Sequence, residues 1–200
     1  MRLLSKHLAL IATLCLSGAA TAAPLITNGG FDGSANGWTL LGGCATAGYT
    51  AAGNGTGAVD MNSCGEANTD PSVGQTVTGL NIGQTYNLSW DQRLSDSHSG
   101  GGHGKTFAVF LGQDAGNLLS INEYLDATWK TYTATFVASA TSQLITFAAE
   151  LDQRTAGVTL RTDVSYAVDN VSLTSVPEPA SLALVCLGLA GMFARRRTQA

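Results

Sequence analysis

The chain has 200 residues, 12% of them charged, and a formal net charge of −4. That length suits one domain with a proper core between short terminal segments, and so acidic a chain does not bind nucleic acid through its phosphates. With 24 glycines and few charges, helices are expected to be scarce.

Arg2 and Lys6 precede an apolar run from Leu8 to Leu16, and small residues follow from Gly18 to Ala23. This order of charge, apolar core and small residues predicts a secretory signal peptide over residues 1–22. Ala20 and Ala22 fit the positions before a cut after Ala22, and Leu14 is too large for Cys15 to be a lipoprotein cysteine. Without the two ends, the remaining basic residues are Arg93, Lys105, Lys130, Arg154 and Arg161, against 13 acidic ones, a net charge of −8. Such a domain suits neutral sugars or cations. Cys44 and Cys64 remain as an even pair in an oxidising compartment, and a disulfide between them is expected. Closing a loop of about 20 residues would add roughly 3 kcal/mol on the chain-entropy account.

Through residues 23–175 the pattern is that of strands. Trp38–Leu41, Ala58–Asn62 and Gln75–Val77 are weak candidates. Tyr86, Leu88 and Trp90 alternate with Asn87, Ser89 and Asp91, the period of a half-buried strand. Phe107, Val109 and Leu111 keep that spacing, as do Tyr132, Ala134 and Phe136 between threonines. Leu144–Leu151 is mostly apolar, and Tyr166–Leu173 closes the domain. Turn signals stand at Asn81-Ile82-Gly83, Gly100–Gly104 and Ala156-Gly157, and a helical turn is expected around Asp114–Leu119. Eight or nine such strands predict an all-β, antiparallel sandwich.

Two readings fit the polar loop Ser95–Lys105, which carries His98 and His103. It is either a rim loop in which the histidines, His98 first, meet a sugar or a metal, or a solvated connection. Exposed aromatic rings are the usual platform for sugars, and Tyr49 and Tyr124 lie in loop-like sequence. Trp90 and Trp129 fit core or rim, and Trp38 packs by the first strand.

The C-terminal segment, residues 176–200, opens with Val176-Pro177-Glu178-Pro179. Ala180–Ala194 then carries no charge, and Arg195, Arg196 and Arg197 follow at once. Prolines hold Glu178 in extended chain, and the arginines stay on the cytoplasmic side of a bilayer. At fifteen residues the run is shorter than the roughly 20 needed to span hydrocarbon, so the expected apolar helix is a transient anchor. The segment resembles the PEP-CTERM sorting signal of Gram-negative bacteria. That resemblance implies recognition by a membrane-embedded exosortase after export through the inner membrane. It also implies release or re-anchoring at the cell surface or outside the cell, often beside exopolysaccharide.

A second resemblance rests on Asn28-Gly29-Gly30-Phe31-Asp32, Gly37-Trp38-Thr39, Gly83–Trp90, Thr128–Phe136 and Ala167–Leu173. Together these are similar to the galactose-binding-like jelly rolls of many carbohydrate-binding modules. The resemblance implies a structural calcium held by Asp32 and Asp169 with backbone carbonyls near Asn28, and Ca²⁺ takes six to eight oxygens. The other reading of the same residues is a turn cap at Asp32 and a backbone-bonding carboxylate at Asp169. No further cofactor is expected. Gly33-Ser34-Ala35-Asn36-Gly37 lacks the spacing of a nucleophile elbow, and no phosphate loop stands between a strand and a helix. The domain therefore reads as a non-catalytic binding or structural module associated with exopolysaccharide. The alternative is a secreted glycan-active hydrolase with two of its carboxylates across a glycosidic bond.

Overall fold

The computed structural model describes residues 24–41, 46–62, 71–97, 106–112, 118–123, 126–149 and 164–177. Ten strands run through them: β1 (Thr39–Leu41), β2 (Thr46–Thr50), β3 (Ala58–Asn62), β4 (Ser72–Thr78) and β5 (Thr85–Ser97), then β6 (Thr106–Leu111), β7 (Leu118–Glu123), β8 (Lys130–Val137), β9 (Ser142–Ala149) and β10 (Val164–Ser175). They form two five-stranded sheets, β1-β4-β9-β6-β7 and β2-β3-β10-β5-β8, and every pairing is antiparallel. The result is the β-sandwich that the alternation predicts.

Side chains one residue apart on a strand point to opposite faces, which sorts this sequence into a core and a surface. In β5, Tyr86, Leu88, Trp90 and Leu94 are buried in the main core. In β8, Phe136 enters it with Tyr132 and Ala134 packed alongside, while Thr131, Thr133 and Thr135 are exposed. The centre is aromatic. Trp90 stacks on Tyr132 at 6.0 Å and meets Phe147 edge-on at 5.8 Å, and Phe147 also touches Trp38 and Phe107. The Trp90 indole N–H donates to Oε1 of the fully buried Gln92 at 2.9 Å, which satisfies the glutamine's oxygen.

The segment ahead of β1 is strapped to both sheets. Gln75 Oε1 accepts the Thr27 N–H at 2.8 Å, and Gln75 Nε2 donates to the Thr27 and Gly37 carbonyls. The Val171 N–H donates to the Gly29 carbonyl at 2.9 Å. At Gly29 the backbones approach so closely that a Cβ would stand 1.9 Å from the Val171 carbonyl oxygen. Between Asp169 and Ser172 the β10–β5 register shifts by a bulge, with Asn170 at φ 50°.

All eight expected strands are present, as β1, β3, β4, β5, β6, β8, β9 and β10, and β5 runs further, taking in Ser95, Asp96 and Ser97 of the expected loop. The helical turn expected up to Leu119 is corrected at its end, because Leu118 and Leu119 belong to β7. Strands β2 and β7 escape the pattern. Each lies at a sheet edge and pairs with one neighbour, so neither needs a strong apolar alternation. Cys44, Cys64, the signal peptide and the chain beyond Pro177 lie outside the described residues. Among the described residues no helix is long and apolar enough to cross a membrane.

Candidate functional site

On the outer face of the second sheet, β5 and β10 set Asp91 directly opposite Asp169. Like charges in that position repel. Two asparagines resolve the conflict. Asn54, from the β2–β3 connection, donates its backbone N–H to Asp169 Oδ2 at 2.6 Å and its side-chain amide to Asp91 Oδ2 at 2.8 Å. Asn170, at the bulge, donates its N–H to Asp169 Oδ1 at 2.6 Å and its amide to Asp91 Oδ2 at 2.9 Å. The Thr131 hydroxyl donates to Asp91 Oδ1 at 2.6 Å. Five donors thus converge on two carboxylates that are almost removed from solvent, at 7% and 0% exposure.

The two carboxylates are tuned in opposite directions. Burial pushes Asp91 up, but the hydrogen bonds from Thr131, Asn170 and Asn54 outweigh it and hold the group below its ordinary value. For Asp169 burial prevails over the N–H bonds from Asn54 and Asn170, and the charges of Asp91 and Asp32 add to the rise. Asp169 thus accepts two backbone N–H groups, from Asn54 and Asn170.

Asp32 lies in the turn organised by Asn28, whose Oδ1 accepts the Asp32 N–H at 2.8 Å. The Asn28 carbonyl accepts from Phe31 and from the Trp38 indole. Oxygens converge instead over Gly30, where a Cβ would stand 3.3 Å from Thr56 Oγ1, 3.7 Å from Asp32 Oδ1 and 3.9 Å from Asn170 Oδ1. The Gly30 carbonyl accepts the Thr56 hydroxyl at 2.5 Å. Asp32 and Asp169 are therefore neighbours in charge, with Asn170 supplying the oxygen that faces Asp32 across this small cradle. Such a set of hard oxygens suits a hard cation. Among the described residues no three His, Cys, Asp or Glu side chains gather as a metal group.

Next along the same face, the Arg93 guanidinium lies over the Trp129 ring at 5.0 Å and donates to the Ala52 carbonyl at 3.2 Å. Trp129 is half-buried at the rim. The Ser95 hydroxyl donates to Asp60 Oδ1. Tyr49 sits in strand β2, not in a loop, and is 40% exposed with one ring edge over Gly57. A Cβ at Gly57 would stand 2.3 Å from that ring, so glycine there seats the tyrosine. His98 and Tyr124 lie outside the described residues. Asn54, Asp91, Asn170 and Arg93 are site residues that the sequence alone does not single out. The Gly53-Asn54-Gly55 turn and the Asp169-Asn170 pair were the available signals.

The model of a carbohydrate binding domain family matches residues 23–156, and that of the PEP-CTERM protein-sorting motif matches residues 175–197. No curated protein sequence matches the chain. Among solved structures the chain is similar to the CBM22-1 xylan-binding domain of Paenibacillus barcinonensis Xyn10C, at 17% identity and TM-score 0.53 over 81% of this chain and 100% of that one. It is similar to TmCBM61, solved with beta-1,4-galactotriose, at 18% identity and TM-score 0.53 over 78% and 100%. For the N-terminal cellulose-binding domain of Cellulomonas fimi beta-1,4-glucanase C the values are 22% and 0.51 over 79% and 100%. The enzymatically active domain of bacteriophage CBA120 tailspike protein 4 matches at 14% identity and TM-score 0.54, and this chain spans 21% of its length. These likenesses establish a shared sandwich fold.

Proposed function

Because this chain belongs to the carbohydrate binding domain family, matched over residues 23–156, we propose that it is an exported surface or matrix protein whose sandwich associates with exopolysaccharide without turning it over. The observation that carries this reading is the order of the two matches, a glycan-binding sandwich followed at once by a sorting motif. On this reading an exosortase recognises Pro177-Glu178-Pro179 while the apolar run and Arg195–Arg197 hold the chain in the inner membrane of a Gram-negative bacterium. The protein then passes to the surface.

The glycan contact is assigned to the rim of the second sheet, where Trp129 under Arg93 and the exposed Tyr49 ring offer flat surfaces for sugar C–H faces. A net charge of −8 for the exported part favours a neutral polysaccharide over an acidic one. The relatives named for xylan, cellulose and galactotriose bind neutral sugars, which agrees with that choice. A structural Ca²⁺ is assigned to the oxygens around Gly30, with Asp32, Asn170 and Thr56 as its side-chain ligands and Asp169 as a charge behind them. It would join the N-terminal segment to the bulge of β10.

Hydrolysis is disfavoured by the state of the paired carboxylates. Asp169 is fully buried and accepts two backbone N–H groups, and three donors occupy Asp91, so neither stands free for a glycosidic bond. The test is affinity electrophoresis in gels containing soluble neutral polysaccharides. Retardation of the wild-type protein that is lost in Trp129→Ala and Tyr49→Ala supports the assignment. Mobility unchanged on every glycan overturns it, and release of reducing sugar would establish the hydrolase.

A further inference from the structure

Among the described residues, one end of the sandwich carries exposed apolar side chains and no charged one, and the sorting segment leaves from that end. The Val176 N–H donates to the Thr85 carbonyl at 2.9 Å, Gln84 Nε2 donates to the Val176 carbonyl at 2.5 Å, and Thr85 pairs with Val137. The turn Asn81–Gln84 closes through Gln84 N–H to Asn81 O at 3.1 Å, with Gly83 at φ 84°. A glycine at that position is what a type II turn requires, and the turn presents Ile82 at its tip. Ile82 is 68% exposed and Val137 57%, the two highest values for large apolar side chains among the described residues, and Val176 adds 37%. Turn tips favour polar residues, glycine and proline, so isoleucine there is unusual, and three such residues at one end form a patch.

Residues 71–90, 131–149 and 170–177 contain no Asp, Glu, Lys or Arg. The described strands therefore reach this end uncharged, while Asp91 and Asp169 stand at mid-strand and Arg93, Asp126 and Lys130 lie beyond them. Pro24 lines a groove of 460 Å³ at the same end with Thr174 and Ser175. Both segments expected to meet the membrane, the signal peptide and the tail, thus join the domain on one side.

Between Val176 and the apolar run stand three residues, Pro177–Pro179. Fully extended, the four steps to Ala180 reach about 14 Å, and each headgroup layer is about 5–8 Å thick. We propose that, while the tail is inserted, this end of the sandwich rests on the phospholipid surface, with Ile82, Val137 and Val176 entering the headgroup boundary. The proposal rests on reading residues 176–200 as a membrane-inserted sorting segment. The occupant is lipid because the tether brings the patch to a bilayer, and because an uncharged apolar tip suits the interface while the acidic remainder is repelled by anionic headgroups.

The test uses the full chain reconstituted in vesicles of phosphatidylethanolamine and phosphatidylglycerol doped with a phospholipid bearing a photoreactive headgroup. Retention after alkaline extraction reports insertion, and peptide mapping locates lipid adducts. Adducts are expected in peptides holding Ile82 and Val137 and not in the one holding Ala127 at the far end. An Ile82→Asp, Val137→Asp variant should insert as well as wild type and give severalfold fewer adducts. Inserted chain with no adducts at this end, or with equal adducts around Ala127, overturns the docking and leaves the sorting reading intact. Chain that is not retained at all overturns both.

Discussion

Asp91 and Asp169 face each other across the β5–β10 pairing, and the amides of Asn54 and Asn170, 116 residues apart in the chain, both donate to the same oxygen of Asp91. Removing that acceptor takes three hydrogen bonds out of a nearly closed site, and of the three donors the Asn170 amide keeps a bond, to the Asn54 carbonyl at 3.1 Å. Hydrogen bonds to charged groups contribute about 1.5–3 kcal/mol each and are not additive, so Asp91→Ala should cost about 3 kcal/mol. Urea unfolding of the exported protein checks this, and a change below about 1 kcal/mol would contradict the network.

The same pair gives the protein a two-sided acid response. Asp91 is held below its ordinary value, so its contribution is present above the unfolded value and disappears as pH falls through the lower folded one. Asp169 is raised, so its ionised form weakens the fold, and stability recovers as pH falls through its raised value. Melting temperatures should therefore rise slightly on mild acidification and fall in stronger acid. Asp169→Asn should lose the rise, and Asp91→Asn should flatten the fall. Calorimetry between neutral pH and strong acid separates the two arms.

Two glycines separate steric need from backbone need. At Gly29 a Cβ would meet the Val171 carbonyl at 1.9 Å, a backbone atom that cannot rotate away. Gly33 has open space but φ 69°. Gly29→Ala should destabilise by about 3 kcal/mol through overpacking, and Gly33→Ala by about 1 kcal/mol through left-handed strain. Thermal unfolding of the two variants side by side reads the difference.

Calcium should raise the melting temperature in proportion to its affinity, by about 2.7 kcal/mol of stability at a hundredfold excess over Kd. The shift should vanish in Asp32→Asn, and in Gly30→Ala, where the new methyl would occupy the space between the oxygens of Thr56, Asp32 and Asn170. A wild-type melting curve unmoved by calcium and by chelator removes the assignment.

How much of this was readable in advance depended on whether the signal was local. Strand β5 announces itself, because Tyr86, Leu88 and Trp90 turn inward and Asn87, Ser89 and Asp91 outward. Strand β2 does not, since Thr46-Ala47-Gly48-Tyr49-Thr50 lies at an edge and puts one glycine and one tyrosine where alternation would be sought. Asp32 and Asp169 came into view through resemblance, not through spacing. The bridging role of Asn54 was invisible, because it depends on a contact 115 residues away that exists only after β3, β10 and β5 have aligned. Trp129 fits core or rim by its sequence alone, and its place at the rim is evident only with Arg93 lying over its ring.

The bulge in β10 has a consequence for how that strand tolerates change. Before it, even-numbered residues Tyr166 and Val168 fill the interior; after it, odd-numbered Val171 and Leu173 do. Asn170 is thus a parity switch. Flattening the bulge with Asn170 still in place would turn the last third of the strand inside out, forcing Ser172 and Thr174 toward the aromatics, whereas excising Asn170 together with the bulge would leave Val171 and Leu173 facing inward. An exposed asparagine thus governs what the interior receives, and a β-branched residue that resists a φ of 50° there would strain the core alignment from the surface.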